Sequence, residues 1–153
     1  MRFLELKIPP PAVAILIGAA MGFLAPLGPS VALWSTLRMV MSVGIALAGA
    51  AIALAGDLEF KRAKTTINPF RPGNATTLVT SGVFRRTRNP MYVGLTLVVL
   101  GWAVYLDSMG ALLGPVLFVA YIDRFQIVPE ERILSEKFGA AYAQYTSRVR
   151  RWF

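Results

Sequence analysis

The residues best suited to chemistry gather in two short stretches. One is Thr80 to Gly94, TSGVFRRTRNPMYVG, in which Arg85, Arg86, Arg88, Asn89 and Tyr92 stand at the threshold of an apolar segment. The other closes a later apolar segment with Asp123 and Arg124 and resumes after Pro129 with Glu130 and Glu131. Ionisable groups at membrane depth are costly unless paired, so both signs of charge at one depth point to a site. Carboxylates, guanidinium groups, an amide and phenols can hold and orient a charged, water-soluble cofactor. Imidazole and thiolate chemistry is excluded, because the chain contains neither histidine nor cysteine. The same absence removes disulfides and most zinc and haem sites, and no metal is expected. On pattern alone a second reading stands beside the first, with Arg85, Arg86 and Arg88 as lipid-facing anchors and the two glutamates as a solvated first helical turn.

The elements that must position these residues are apolar. Of 153 residues 56% are hydrophobic and the mean hydropathy is +0.57, a composition that lipid as solvent explains better than water. The net charge of +8 is dispersed around apolar spans, which favours anionic lipid headgroups over nucleic acid as partner. The expected fold is an all-α membrane bundle of about four transmembrane helices followed by a C-terminal helix on one side. All 153 residues form a single domain in this reading, with two N-terminal spans over 1–56 and a cofactor-binding half over 57–153.

Span 1 is read from Pro11 to Ala25 and ends at the turn signature Pro26-Leu-Gly-Pro29. Glu5 among the leading charges and the prolines at 9–11 count against a cleaved leader, so this run is taken as a retained span. Span 2 runs from Ser30 or Val31 to Gly56, with Arg38 expected to snorkel to the interface and Gly and Ala residues suited to close helix packing. From Asp57 to Asn89 a polar surface loop is expected, with turns at Asn68-Pro69 and Arg71 to Asn74. Span 3 is Pro90 to Leu106, Asp107 to Gly110 turn the chain, and span 4 is Ala111 to Ile122. Pro129 either kinks the continuing helix or opens a new one. The tail carries helical spacing, with a break at Gly139 and a short amphipathic helix bearing Tyr142 and Tyr145 that packs against the site. Arg150, Arg151, Trp152 and Phe153 are read as interfacial anchors, and Trp34, Trp102 and Tyr105 as the opposite belt. Lys and Arg crowd the long loop and the tail but are absent from the two short turns, which places both termini in the cytoplasm of an inner membrane.

Taken in order, LVTSGVFRRTRNPMYVG at Leu78 to Gly94 and EERILSEKFGAAYAQYTSRVRRW at Glu130 to Trp152 resemble the isoprenylcysteine carboxyl methyltransferase and phospholipid N-methyltransferase superfamily of membrane enzymes. The shared pattern is Arg-His-Pro-x-Tyr-x-Gly, an apolar stretch, a Glu-Glu pair, then Phe-Gly-x-x-Tyr-x-x-Tyr and a basic, aromatic end. The first two spans carry no motif of that kind. The resemblance implies a methyltransferase that holds S-adenosylmethionine in a cytoplasm-facing pocket under the tail, while a small or lipidic acceptor arrives from the bilayer. Carried over by position, the cofactor-binding residues are Thr76, Thr77, Leu78, Val79, Phe84, Asn89, Pro90, Met91, Tyr92 and Glu130. Asn89 stands where many members have His, and Gln126 stands where prenylcysteine enzymes carry an acceptor-binding arginine. The amide of Asn89 can still donate a hydrogen bond but cannot titrate near neutral pH, and the second departure weakens the case for a prenylcysteine substrate.

The chemistry of the residues is consistent with that cofactor. Its ammonium needs an acidic partner such as Glu130, its carboxylate needs donors such as Arg88 or Asn89, and Tyr92 or Phe84 can flank the adenine or sulfonium. Glu131 and Arg124 are the candidate catalytic residues, with Glu131 orienting an arginine or helping to deprotonate the acceptor. They share a face only if the helix survives Pro129. Two other readings remain open at this point, an NADPH-dependent membrane reductase of the sterol-reductase type and a non-catalytic lipid-binding protein.

Overall fold

A computed structural model describes residues 4–64 and 76–153. The turns expected at Asn68-Pro69 and Arg71 to Asn74 lie outside the described residues. The fold is all helical: α1 (Pro10–Leu24), α2 (Ser35–Arg62), α3 (Pro90–Leu106), α4 (Leu113–Ile122) and α5 (Val128–Arg148). A single π-helical turn, Asp123–Ile127, joins α4 to α5 without a break in the axis. Among the described residues, Pro10–Leu27, Ser35–Arg62 and Gly110–Arg148 are long and apolar enough to cross a membrane. The apolar α3 is shorter at 17 residues, a rise of about 26 Å and the lower limit for a span.

Local chemistry accounts for the boundaries. Proline opens α1, α3 and α5 within the first two positions, where its missing N–H leaves no bond unmade. Helix α2 starts later than expected and runs past Gly56 to Arg62. Its start is displaced because Ser30 to Leu33 are drawn against the turn that ends α3. Ser30 Oγ donates to Asp107 at 2.7 Å, and the Leu33 amide donates to the same carboxylate. Its end is extended by the Asp57–Lys61 and Glu59–Arg62 ion pairs, so the first part of the expected loop is helix. Arg38, near the start of α2, pairs with Asp107 at 3.3 Å. Pro129 falls at the second position of α5, where the α-helix resumes after the π turn, so it opens a helix as the second of the two expectations has it. Gly139, with φ 49 and ψ −121, breaks α5 where the sequence marks it.

The core is built around α3. Val13 and Met21 of α1, Tyr92, Val99 and Ala103 of α3, and Phe118, Ile122 and Ile127 from the α4 side form one buried cluster. Helices α2 and α3 approach closely because glycines face each other. A Cβ on Gly49 would lie 2.5 Å from the Gly94 carbonyl, and one on Gly94 the same distance from that of Gly49. The small-residue face of α2 is therefore spent on α3. Leucines, valines and phenylalanines of α1, α2 and α4 stay exposed, as helices facing lipid require.

Candidate functional site

The structure gathers the charged residues at one end of the bundle, where α3 and α5 begin and the tail folds back. Asn89 ends the polar segment with non-helical backbone (φ −130, ψ 53) and Pro90 starts α3, so Arg88 and Tyr92 sit either side of one helix start. The continuous α4–π–α5 axis brings Glu130 and Glu131 to the same level. Tyr92 donates its phenolic hydrogen to Glu130 Oε1 at 2.6 Å. Arg88 Nη2 donates to Glu131 Oε1 at 2.6 Å. Arg151 forks onto Glu131 through Nη2 at 2.6 Å and Nε at 3.2 Å, and its Nη1 reaches Asp123 at 3.1 Å. Charge-assisted, forked contacts of this kind fix orientation as well as proximity. The Glu131 carboxylate bonded to Arg151 holds that guanidinium further toward its charged form than usual, with Asp123 adding to the effect.

The tail is fastened by backbone carbonyls. Arg88 donates from Nη1 to the carbonyls of Val149 at 3.0 Å and Thr146 at 3.3 Å, and its amide donates to Arg150. The Arg151 carbonyl accepts from Asn89 Nδ2 at 2.9 Å and from Thr87 Oγ1. Asn89 thus serves here to dock the tail. Tyr142 and Tyr145 are buried beneath it, and the Tyr145 hydroxyl donates to the Phe84 carbonyl at 2.8 Å.

The sequence-predicted residues divide accordingly. Arg88, Tyr92, Glu130 and Glu131 come together. Phe84 is buried and packs edge-to-face on Phe60, with ring centres 5.2 Å apart. Pro90 and Met91 lean on α2 at Gly56, where a Cβ would meet both at 3.1 Å. Val79 is buried, Leu78 half-buried, and Thr76 and Thr77 are exposed. Arg124 does not meet Glu131. It binds Glu5 at 2.9 Å, as does Arg132 at 2.8 Å, so the N-terminal segment straps the start of α5. Although the helix survives Pro129, the π turn rotates Arg124 away and Arg88 and Arg151 take its place. Arg151, read as an anchor, is a site residue, and the only hint in the sequence is the arginine pair before Trp152. Glu59 carries no local signal that marks it as a partner of the site segments, and although Ser81 and Asp123 lie within those segments their partners, Glu59 and Arg151, are not legible there.

Between the segment that precedes α3 and the end of α5, Leu78, Thr80 and Arg85 face Tyr145, Arg148 and Val149 across an open cleft of about 530 Å³. This is within the usual range for small-molecule sites. Two further observations bear on what it could hold. Arg88 Nε is buried with no acceptor among the described residues, and no group of acidic side chains suited to a metal occurs among them.

These features define a polytopic helical membrane protein with a polar, paired-carboxylate site at one end of its bundle. The chain belongs to the phospholipid methyltransferase family, whose model matches residues 37–141. The match takes in nearly all of α2, so the family likeness reaches further toward the N-terminus than the sequence motifs indicate. An uncharacterized protein of Haemophilus influenzae is 44% identical over 62 residues, covering 40% of this chain and 98% of that protein. No solved structure matches.

Proposed function

We propose that this protein is an S-adenosylmethionine-dependent methyltransferase of the inner membrane, with its site and both termini on the cytoplasmic side, acting on a lipidic or small acceptor. The observation that carries the reading is the meeting of Tyr92–Glu130 with Arg88–Glu131–Arg151 at one end of the bundle, within a family of methyltransferases. The residues fit the cofactor. Glu130 offers a carboxylate to an ammonium, and the unsatisfied Arg88 Nε–H is a donor that a carboxylate would complete. Phe84 and Tyr92 supply aromatic surface, and Thr76 to Val79 border the cleft through Leu78.

When bound, S-adenosylmethionine supplies a methyl group already activated on a sulfonium. The protein's task is then positioning and water exclusion rather than acid–base work. Phe118, Ile122 and Ile127, fully buried in the core cluster that also contains Tyr92, keep the adjoining bundle dry. Glu131 orients Arg88 and Arg151, while Arg85 and Arg148 present positive charge at the cleft. A phosphate-bearing or otherwise anionic acceptor suits that charge. Calorimetric titration of the detergent-purified protein with S-adenosylhomocysteine and, in parallel, NADPH tests the reading. Micromolar binding of the former is expected, and its absence up to millimolar concentration overturns the proposal. Incubating membrane lipids with methyl-labelled cofactor then identifies the acceptor from the labelled product.

A further inference from the structure

We infer that Glu59, at the inner end of α2, is a positioning residue for the cofactor-binding segment and acts through the turn Ser81–Arg85. The inference rests on the methyltransferase reading above. Glu59 is only 8% exposed on a helix that is otherwise apolar over most of its length. A carboxylate so placed needs hydrogen-bond partners, and it finds them in two places. Arg62 Nη1, one turn on, donates to Oε1 at 2.7 Å, and Ser81 Oγ donates to Oε2 from the segment that precedes α3. The next residue, Gly82, has φ +54, a conformation that glycine adopts without strain. It also lies directly against the carboxylate, because a Cβ there would come within 2.6 Å of Glu59 Cδ.

The same turn is gripped from both sides. Phe60, adjacent to Glu59, packs edge-to-face on Phe84, and Tyr145 of α5 donates to the Phe84 carbonyl at 2.8 Å. Val79, just before the turn, and Phe84, within it, are buried, and Leu78, Thr80 and Arg85 line the cleft. Glu59 therefore fixes the piece of chain that forms one wall of the cleft. Through it the second N-terminal span, which carries no site motif, takes part in the site.

The test uses the full-length protein in detergent, with amide hydrogen exchange on the ligand-free protein and titration with S-adenosylhomocysteine. For Glu59→Ala, exchange over residues 81–87 is expected to rise about tenfold while α3 and α4 keep their protection. The dissociation constant for S-adenosylhomocysteine should rise about tenfold as well. Ser81→Ala should reproduce both effects more weakly, and the double variant should be no worse than Glu59→Ala alone, because the two groups act as one unit. Glu59→Gln, which keeps the volume, should fall between wild type and Glu59→Ala and serves if the alanine variant does not fold. Lys61→Ala, on the same helical turn, should change neither measurement. Unchanged exchange over 81–87, loosening that spreads through α3 and α4, or local loosening with unchanged affinity would each overturn the inference. Failure of the wild-type protein to bind S-adenosylhomocysteine counts against the methyltransferase reading and the cofactor part of this one. The exchange pattern decides independently whether Glu59 holds the turn.

Discussion

Tyr92 and Glu130 are joined by a 2.6 Å hydrogen bond that links the first turn of α3 to the first turn of α5. The two residues are far apart in sequence, and the bond closes the end of the bundle where the cofactor is proposed to sit. Glu130→Gln keeps a hydrogen-bond acceptor for Tyr92 but removes the charge. It is expected to weaken S-adenosylhomocysteine binding by roughly ten- to a hundredfold, the range for losing a charged hydrogen bond. Thermal unfolding should change little. Unaltered affinity in the calorimeter would remove Glu130 from the site. Tyr92→Phe should show a smaller loss in the same direction.

The Arg88 side chain holds Glu131 and two carbonyls of the tail, those of Thr146 and Val149, while only 13% of it is exposed. Arg88→Ala leaves a carboxylate with one cation and two carbonyls without donors. A loss on the order of 2–4 kcal/mol in unfolding free energy is expected. Arg151→Ala should cost less, because Arg151 is more exposed and Glu131 keeps Arg88. Arg151→Lys should not restore it, since an ammonium cannot reproduce the forked contact. Denaturant unfolding of the three variants orders them, and an equal loss for Arg88→Ala and Arg151→Ala would contradict the geometry.

Asn89 donates to the Arg151 carbonyl. Asn89→Ala should destabilise the docked tail by about 1 kcal/mol, the usual net value of one hydrogen bond. Limited proteolysis at the arginines of the tail reads the effect directly, and faster cleavage after Arg150 and Arg151 is expected.

Glu5 binds both Arg124 and Arg132, and the Arg124 hydrogen bond, followed by that of Arg132, holds its carboxyl below the ordinary 4.5. A carboxylate with a lowered folded-state value contributes stability that is fully present above its ordinary value and is lost as pH falls through the lowered one. Melting temperatures of wild type and Glu5→Gln should therefore differ at pH 6 and converge below about pH 4. The gap should narrow in high salt, because both arginines are largely exposed. A gap independent of pH would show that the ion pairs are not its source.

Gly94 faces the α2 backbone, and a Cβ there would lie 2.5 Å from the Gly49 carbonyl, whereas one on Gly44 meets nothing within 4 Å. Gly94→Ala should destabilise the bundle by about 1–3 kcal/mol through forced separation of the helices. Gly44→Ala should be neutral or slightly stabilising. Thermal melts of the two variants in one detergent make the comparison.

The apolar runs, the prolines at helix starts and the glycine at 139 were enough to read the helices from sequence, because each acts within a turn or two of its own position. Span 3 falls at Pro90–Leu106 as expected, and the arginine, asparagine and tyrosine before and within it stand at the site with the glutamate pair. What local pattern could not give was partnership. Arg124 sits seven residues from Glu131 on one continuous axis, yet the π turn at Asp123–Ile127 directs it to Glu5. Arg151 reads as a membrane anchor until the tail folds back onto Glu131. Glu59 reads as part of a polar surface loop until α2 extends through it and Ser81 and Gly82 are brought against it. Composition and periodicity fix which segments enter the membrane, since burial in lipid is decided by each segment's own side chains. Which charge meets which is decided by the packing of helices distant in sequence, and only the tertiary structure determines that.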